Sequence, residues 1–245
     1  MSVKLIHPDW PLQDKVTAFT TTRKEGVSDA PYNECNLALH VGDIQSDVLS
    51  NRQQINDYLG RGIDIKWLKQ THSSIVLNAT HIDADVNEAD ASFTMKKGVA
   101  CAVLTADCLP ILFSDANGEC VGATHAGWRG LVGGVVENTI QAMSQHIKPS
   151  YAWLGPAIGP TAFEVGDDVY EIYVNRDVSF KTCFEAKKPG KWNLDIYQAA
   201  KIVLKQADIA NIYGGSYCTY NDENRFFSYR RHSVTGRMAT IITKR

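Results

Sequence analysis

VACAVLTADCLPILFSDANGECVGATHAGWRG, residues 99–130, decides the fold. Its apolar runs at 99–104, 111–113 and 121–123 are short and bounded by Asp, Asn and Gly, which predicts three buried strands joined by polar turns. The small residues after His125 then predict a tight loop opening a helix. Packing does not ask for Cys108, which follows Asp107 at one strand end, or for His125, at the end of the next strand but one. A helix start offers free backbone N–H groups and Arg129 adds a bidentate guanidinium, so the loop reads as an anion site. The candidate functional site is placed here.

On the N-terminal side, residues 16–19 read as a strand leading into a long Gly-, Pro- and Asn-rich loop that contains Asn36, Leu37 and His40. Long loops in compact domains are often functional, although Asn36 can equally hold such a loop together by hydrogen bonds to its backbone. Residues 46–59 predict a helix with Ser46 as N-cap and Val48, Ile55 and Leu59 on its apolar side. Strands at 65–68 and 75–77 flank a polar turn carrying Gln70 and His72. The acidic stretch 79–98 holds Asp83, Asp85, Glu88 and Asp90; such loop carboxylates are ordinarily solvated, and Asp90 stands out by directly preceding the apolar run 91–93.

On the C-terminal side, residues 131–146 predict a helix with Val132, Val136, Ile140 and Met143 at helical spacing, its first turn carrying Gly133 and Gly134. A strand at 151–154 runs into the Gly/Pro-rich turn GPAIGPTAFEVGDDV and a helix over 167–174. That turn is neither a dinucleotide fingerprint nor a phosphate loop, lacking the spacing and the lysine. Glu164 within it reads as structural. Residues 181–192 read as a basic loop, 194–207 as an amphipathic helix with Ile196, Ala200, Val203 and Leu204 inward, and 238–243 as the last strand. Arg230, Arg231 and Arg237 are expected to pair with local carboxylates rather than to bind phosphate. With no repeat or linker, residues 1–245 read as one domain.

The 25 Lys and Arg against 27 Asp and Glu give a net charge of −2, which makes no electrostatic case for nucleic acid or membrane. The N-terminus, MSVKLIHPDW, lacks a basic region followed by an apolar run, so a cytoplasmic location and reduced cysteines are expected. Of the six cysteines only Cys108 looks exposed enough for chemistry. His72, Cys108 and His125 then stand together at strand ends. One thiolate and two imidazoles form a ligand set that zinc accepts with a fourth position open. The alternative is a metal-free pair, with Cys108 as nucleophile and a histidine as base.

TADCLPIL (105–112), HAGWRG (125–130), LGPAIGP (154–160), FEVG (163–166) and FFSYRR…TGR (226–237), together with Asn36–Leu37 and the Q-x-H of Gln70 and His72, resemble the motifs of the YfiH/laccase-domain family over nearly the whole chain. The resemblance implies an α+β fold of mixed sheets packed together with helices outside, shared with a group of cysteine hydrolases. It implies a metal, usually zinc, on His72, Cys108 and His125. For activity it implies phosphorolysis of adenosine, inosine and methylthioadenosine, with adenosine deamination. Members are also linked to copper-dependent phenol oxidation and to editing of a UDP-muramoyl–amino acid precursor of peptidoglycan. With seven histidines and no H-x-H pair, a multicopper architecture is not expected, although copper competes well for Cys/His ligands. The expectation is a zinc enzyme acting on purine nucleoside and phosphate, with catalysis at Cys108, His125 and His72, Arg129 on the anion, and Gln70 and Asn36 in the pocket wall. A muramoyl-precursor hydrolase and a non-catalytic metal-binding protein are the alternatives.

Overall fold

The three strands predicted from residues 99–130 form, but the first lies in one sheet and the next two in another. The computed structural model describes residues 3–82 and 87–245, so Asp83 and Asp85 fall outside the described residues. The chain runs β1 (Leu5–Ile6), β2 (Val16–Thr21), α1 (Gln45–Leu59), β3 (Asp64–Lys66), β4 (Val76–Asn78), β5 (Ala91–Thr94), β6 (Val99–Thr105), β7 (Leu109–Ser114) and β8 (Val121–Ala126). It continues through α2 (Trp128–Val132), α3 (Val135–Ser144), β9 (Tyr151–Leu154), β10 (Glu164–Gly166), α4 (Asp167–Arg176), β11 (Phe184–Lys188), β12 (Lys191–Leu194), α5 (Ile196–Gln206), β13 (Asn211–Gly214) and β14 (Met238–Lys244).

A five-stranded sheet has the order β1-β2-β14-β6-β3, a six-stranded sheet β13-β9-β7-β8-β5-β4, and a small third sheet β10-β12-β11. Both large sheets are mixed: β3 runs parallel to β6, and β4 parallel to β5. Strand alternation sorts the core into layers. Cys101 and Val103 of β6 meet Leu112 of β7 and Val121 and Ala123 of β8 between the sheets. The alternate residues Ala100, Ala102 and Leu104 pack with Ile55 of α1 on the outer face of the first sheet. Leu109, Ile111 and Phe113 face Val136, Ile140, Val203 and Leu204 of α3 and α5. The result is an α+β fold of two packed mixed sheets with helices outside. Each such side chain, fully buried, contributes roughly 1.5–3 kcal/mol through apolar burial. Among the described residues no helix is long and apolar enough to cross a membrane.

Several boundaries differ from the sequence reading for local reasons. The helix expected over 131–146 is two helices, broken where Gly134 takes a φ of 91° that an L side chain resists. Helix α1 begins at Gln45, with Ile44 rather than Ser46 at its N-cap and no side-chain cap. Leu194 closes β12 and Asp195 caps α5, accepting from the Gln198 N–H, so this helix starts two residues later than expected. The basic loop 181–192 contains β11 and the first half of β12 as an exposed hairpin.

The register gathers one end of the sandwich. The C-terminal ends of β3 and β6, the start of β7, the end of β8, the start of β5 and the start of β14 all lie there, because Thr105 pairs with Met238, Pro110 with His125 and Ala91 with Thr124. The chain crosses between the two large sheets three times at this end. Residues 67–75 carry it from β3 to β4, residues 106–108 from β6 to β7, and residues 215–237 from β13 to β14.

Candidate metal centre

The first two crossings deliver one donor each, and β8 delivers a third. Ligand atoms of His72, Cys108 and His125 all lie within 4.8 Å of one another, the one such group of three among the described residues. The Cys108 Sγ is 3.9 Å from the His72 Nε2, and the two imidazole rings meet edge to face at 4.9 Å. Both crossing turns carry a non-glycine residue at positive φ, His72 at 59° and Asp107 at 88°. Such backbone persists only where its surroundings impose it.

For His72 the constraint is Asp90, a buried carboxylate. It accepts from three successive backbone N–H groups, of Thr71 (3.1 Å), His72 (3.1 Å) and Ser73 (2.6 Å), and from the Ser73 hydroxyl (2.8 Å). A fifth bond comes from the His125 Nδ1 at 2.7 Å, which orients the ring and leaves Nε2 as its ligand atom. For Asp107 the constraint is the C-terminal segment. Its carboxylate accepts from the Thr219 hydroxyl (2.6 Å), the Ser228 hydroxyl (3.0 Å) and the Arg230 N–H (2.7 Å).

Electrostatics favour a Cys108 thiolate beside a protonated His125, whose ring gives up its proton when Nε2 takes an ion. Burial alone would raise the Cys108 thiol, but charge and hydrogen bonds from His125 and His72 bring it down to about 6. Burial would lower His125, but Cys108 and Asp90 hold it up at about 9. Burial would also raise Asp90, and its bonds to His125 and Ser73 hold it at about 2 instead. The thiolate is therefore the resting form at neutral pH, poised to bind a cation. Gly127 makes room for the trio: a Cβ there would sit 3.0 Å from the Cys108 Sγ and 3.1 Å from the His72 Cδ2.

The centre opens into a cavity of about 540 Å³ whose lining includes Gln70, Arg129 and all three donors, so these expected residues converge. Gln70 is there in a different capacity from the wall residue expected. Its amide exchanges two hydrogen bonds with the Leu104 backbone, at 2.7 and 2.8 Å, and fixes the first crossing to the end of β6. Asn36 does not line the cavity. It is fully buried, bonding the Ala38 backbone, Asp43 and the Arg237 N–H (2.9 Å), which corrects its placement in the wall. Arg129 stacks on Trp128, 4.2 Å from the ring centroid, and helix α2 behind it is only five residues long.

The lining also includes His40, Tyr229, Arg230 and Arg237, which the sequence reading did not place at the site. The expected pairing with carboxylates holds for Arg231, which meets Glu223 at 3.7 Å. It fails for Arg230 and Arg237, whose guanidinium groups bond backbone carbonyls. Glu164 is structural as expected, paired with Lys187 at 3.2 Å. Cys218 is half-exposed like Cys108, which corrects the singling out of Cys108, and no cysteine is in a disulfide.

Known proteins resemble this chain across its length. A purine nucleoside phosphorylase of Haemophilus influenzae is 45% identical, covering 98% of this chain and 99% of its own. The purine nucleoside phosphorylase YfiH of Escherichia coli is 43% identical, covering 98% of each. The crystal structure of Neisseria meningitidis protein NMB0706 superposes with a TM-score of 0.94 at 43% identity over 98% of each chain. That of YlmD from Geobacillus stearothermophilus gives 0.88 at 31% identity, covering 98% of this chain and 96% of that one. Residues 17–245 match the family model described as multi-copper polyphenol oxidoreductase laccase, and the chain belongs to that family.

Proposed function

We propose that this protein is a cytoplasmic enzyme that cleaves the N-glycosidic bond of purine nucleosides (adenosine, inosine, methylthioadenosine) with orthophosphate as acceptor. The observation that carries this reading is one cavity of about 540 Å³, within the usual range for small-molecule sites, that joins a three-donor centre to a wall with Arg129, Arg230 and Arg237. Full-length relatives named purine nucleoside phosphorylase support it.

The donor set fits a single ion, which we take to be zinc: two imidazoles and a thiolate held at low pKa, with Gly127 clearing the space between them. An ion so held supplies a Lewis acid able to acidify water near neutral pH, the chemistry that deamination of adenosine needs. Copper suits the same three donors, but one group of three among the described residues supports one ion rather than a copper cluster.

In phosphorolysis an oxygen of hydrogen phosphate bonds to C1′ of the ribose as the bond from C1′ to the purine nitrogen breaks. The electron pair leaves with the base, and the proton of hydrogen phosphate ends on that nitrogen. The sugar passes through an oxocarbenium-like state, stabilised by a nearby anion. Arg129, at the cavity wall without a carboxylate partner among the described residues, supplies positive charge that draws phosphate in. The Trp128, Phe163 and Tyr229 rings offer flat apolar surface to a purine.

Incubation of pure protein with inosine and phosphate should release hypoxanthine and ribose 1-phosphate in equal amounts, and adenosine should release ammonia. Elemental analysis should find zinc in the wild type and neither zinc nor activity in Cys108→Ala. No ribose 1-phosphate from metal-loaded protein would overturn the reading. Turnover of a UDP-muramoyl–amino acid precursor in its place would reassign the site to amide hydrolysis.

A further inference from the structure

Arg230 and Arg237 come from the FFSYRR…TGR segment, and each guanidinium is anchored by one nitrogen only. The Arg237 Nη1 donates to the Thr235 and Gly236 carbonyls at 2.8 and 3.0 Å. The Arg230 Nη1 donates to the Glu164 and Ala162 carbonyls at 3.0 and 3.4 Å. Among the described residues, Nε and Nη2 of both side chains have no hydrogen-bond partner, and neither side chain has a carboxylate within ion-pair distance. Two anchored forks with their remaining donors unused suit a planar or tetrahedral oxyanion, which they can grip bidentately.

The position of Arg237 sharpens this. It is half-buried just before β14, where the attraction of Cys108 and Asp107 offsets the cost of burying its charge only in part. Its N–H is held by the buried Asn36, while the Arg230 N–H is held by Asp107, so both arginines start from fixed backbone. The β6–β14 register sets Thr105 opposite Met238, next to Arg237. Thr105 belongs to the same lining but is 1% exposed, with its Oγ1 closed to solvent, so it backs Arg237 from behind. The imidazole of His40, also in the lining, is held below its usual value by burial, then by Arg237 and Arg52, consistent with a positive field there.

We propose that Arg230 and Arg237 seat the phosphate dianion beside the metal centre, while Arg129 only steers it in. The identity of the dianion as orthophosphate rests on the phosphorolysis reading. A phosphomonoester carries the same chemistry, so the test includes both.

Orthophosphate binding to the metal-loaded protein is measured by calorimetry, and the KM values for phosphate and inosine by steady-state kinetics. The variants are Arg237→Gln, Arg237→Lys, Arg230→Gln and Arg129→Gln. Both glutamine changes at the seat should weaken phosphate roughly tenfold or more. They should leave the KM for inosine within about twofold, and metal content intact, because no donor to the ion is altered. Arg237→Lys should fall between, keeping the charge and losing the fork. Arg129→Gln should weaken phosphate by less than about threefold, a steering loss.

Unchanged phosphate affinity in Arg230→Gln and Arg237→Gln, or a loss confined to Arg129→Gln, would overturn the proposal. So would an equal rise in the KM for inosine. If Arg237→Gln fails to fold, Arg230→Gln, at an exposed residue, decides. Inosine 5′-monophosphate binding more tightly than orthophosphate, and losing that affinity in the same variants, would reassign the seat to a phosphomonoester and overturn orthophosphate. If the wild type cleaves no nucleoside, the phosphorolysis reading fails alone, and calorimetry with orthophosphate still decides the seat.

Discussion

Asp90 is a single carboxylate that shapes two of the three donors: it holds the 71–73 turn in the conformation that presents His72, and it fixes the ring of His125. Asp90→Asn keeps the shape but puts an N–H donor among five groups that all need an acceptor. Metal affinity, read by competition with a chelating dye, should fall about 10- to 100-fold, the usual cost of losing such a support. The same change alters the response to acid. The native carboxyl is held at about 2, below the roughly 4 of an unfolded chain, so its contribution to stability is present above pH 4 and lost as pH falls toward 2. Urea unfolding at pH 7 should therefore separate the wild type from Asp90→Asn, and the gap should close on acidification. At this scale Cys108 and His125 were legible because packing gives no reason for them at strand ends, whereas His72, in a polar turn, joined them as one of several possible ligand sets until the family resemblance was added. Asp90 was legible only as an oddity before an apolar run, since its partners are backbone N–H groups that no side-chain pattern announces. Arg230 and Arg237 were misread because sequence shows that carboxylates exist nearby, not that carbonyls reach the guanidinium first.

Between β8 and α2 the decisive position is Gly127, whose φ of −64° is open to any residue. A methyl group there meets no backbone objection, only the Cys108 sulfur and the His72 ring. Gly127→Ala should thus cost metal affinity, by about tenfold or more if either donor swings away, with a melting temperature for the metal-free protein close to wild type. Calorimetric metal titration beside a thermal scan separates the two effects; a large drop in the metal-free melting temperature would contradict a purely steric role. Elements with long buried runs, β6 through β9, were readable because burial on both faces leaves near-continuous apolar text. The hairpin of β11 and β12 was not: Phe184–Lys188 is mostly exposed and lysine-rich, so nothing in its composition distinguishes it from a loop. Its order comes from pairing with β10, a contact distant from composition.

Across the whole molecule, the space between the two large sheets is filled by side chains such as Leu112, fully buried among Cys101, Val103 and Trp153 in one cluster. Leu112→Ala should cost about 2–5 kcal/mol in urea unfolding, through lost burial and the cavity left behind. Metal stoichiometry should stay at the wild-type value, since the side chain lies midway along β7 while the donors gather around its start. The layering was implied by three adjacent strands too apolar to face water, but which strand joined which sheet was not, because a three-residue turn reads the same whether it folds a hairpin or changes layers. That change of layer has a mechanical outcome. With His72 and Cys108 on two of the bridges and His125 on the second sheet, an ion gripped by all three is a rivet through both plates of the sandwich. Its binding energy adds to the work needed to prise them apart, so chelation should loosen the molecule first at this end and lower its melting temperature in proportion to how tightly the ion was held.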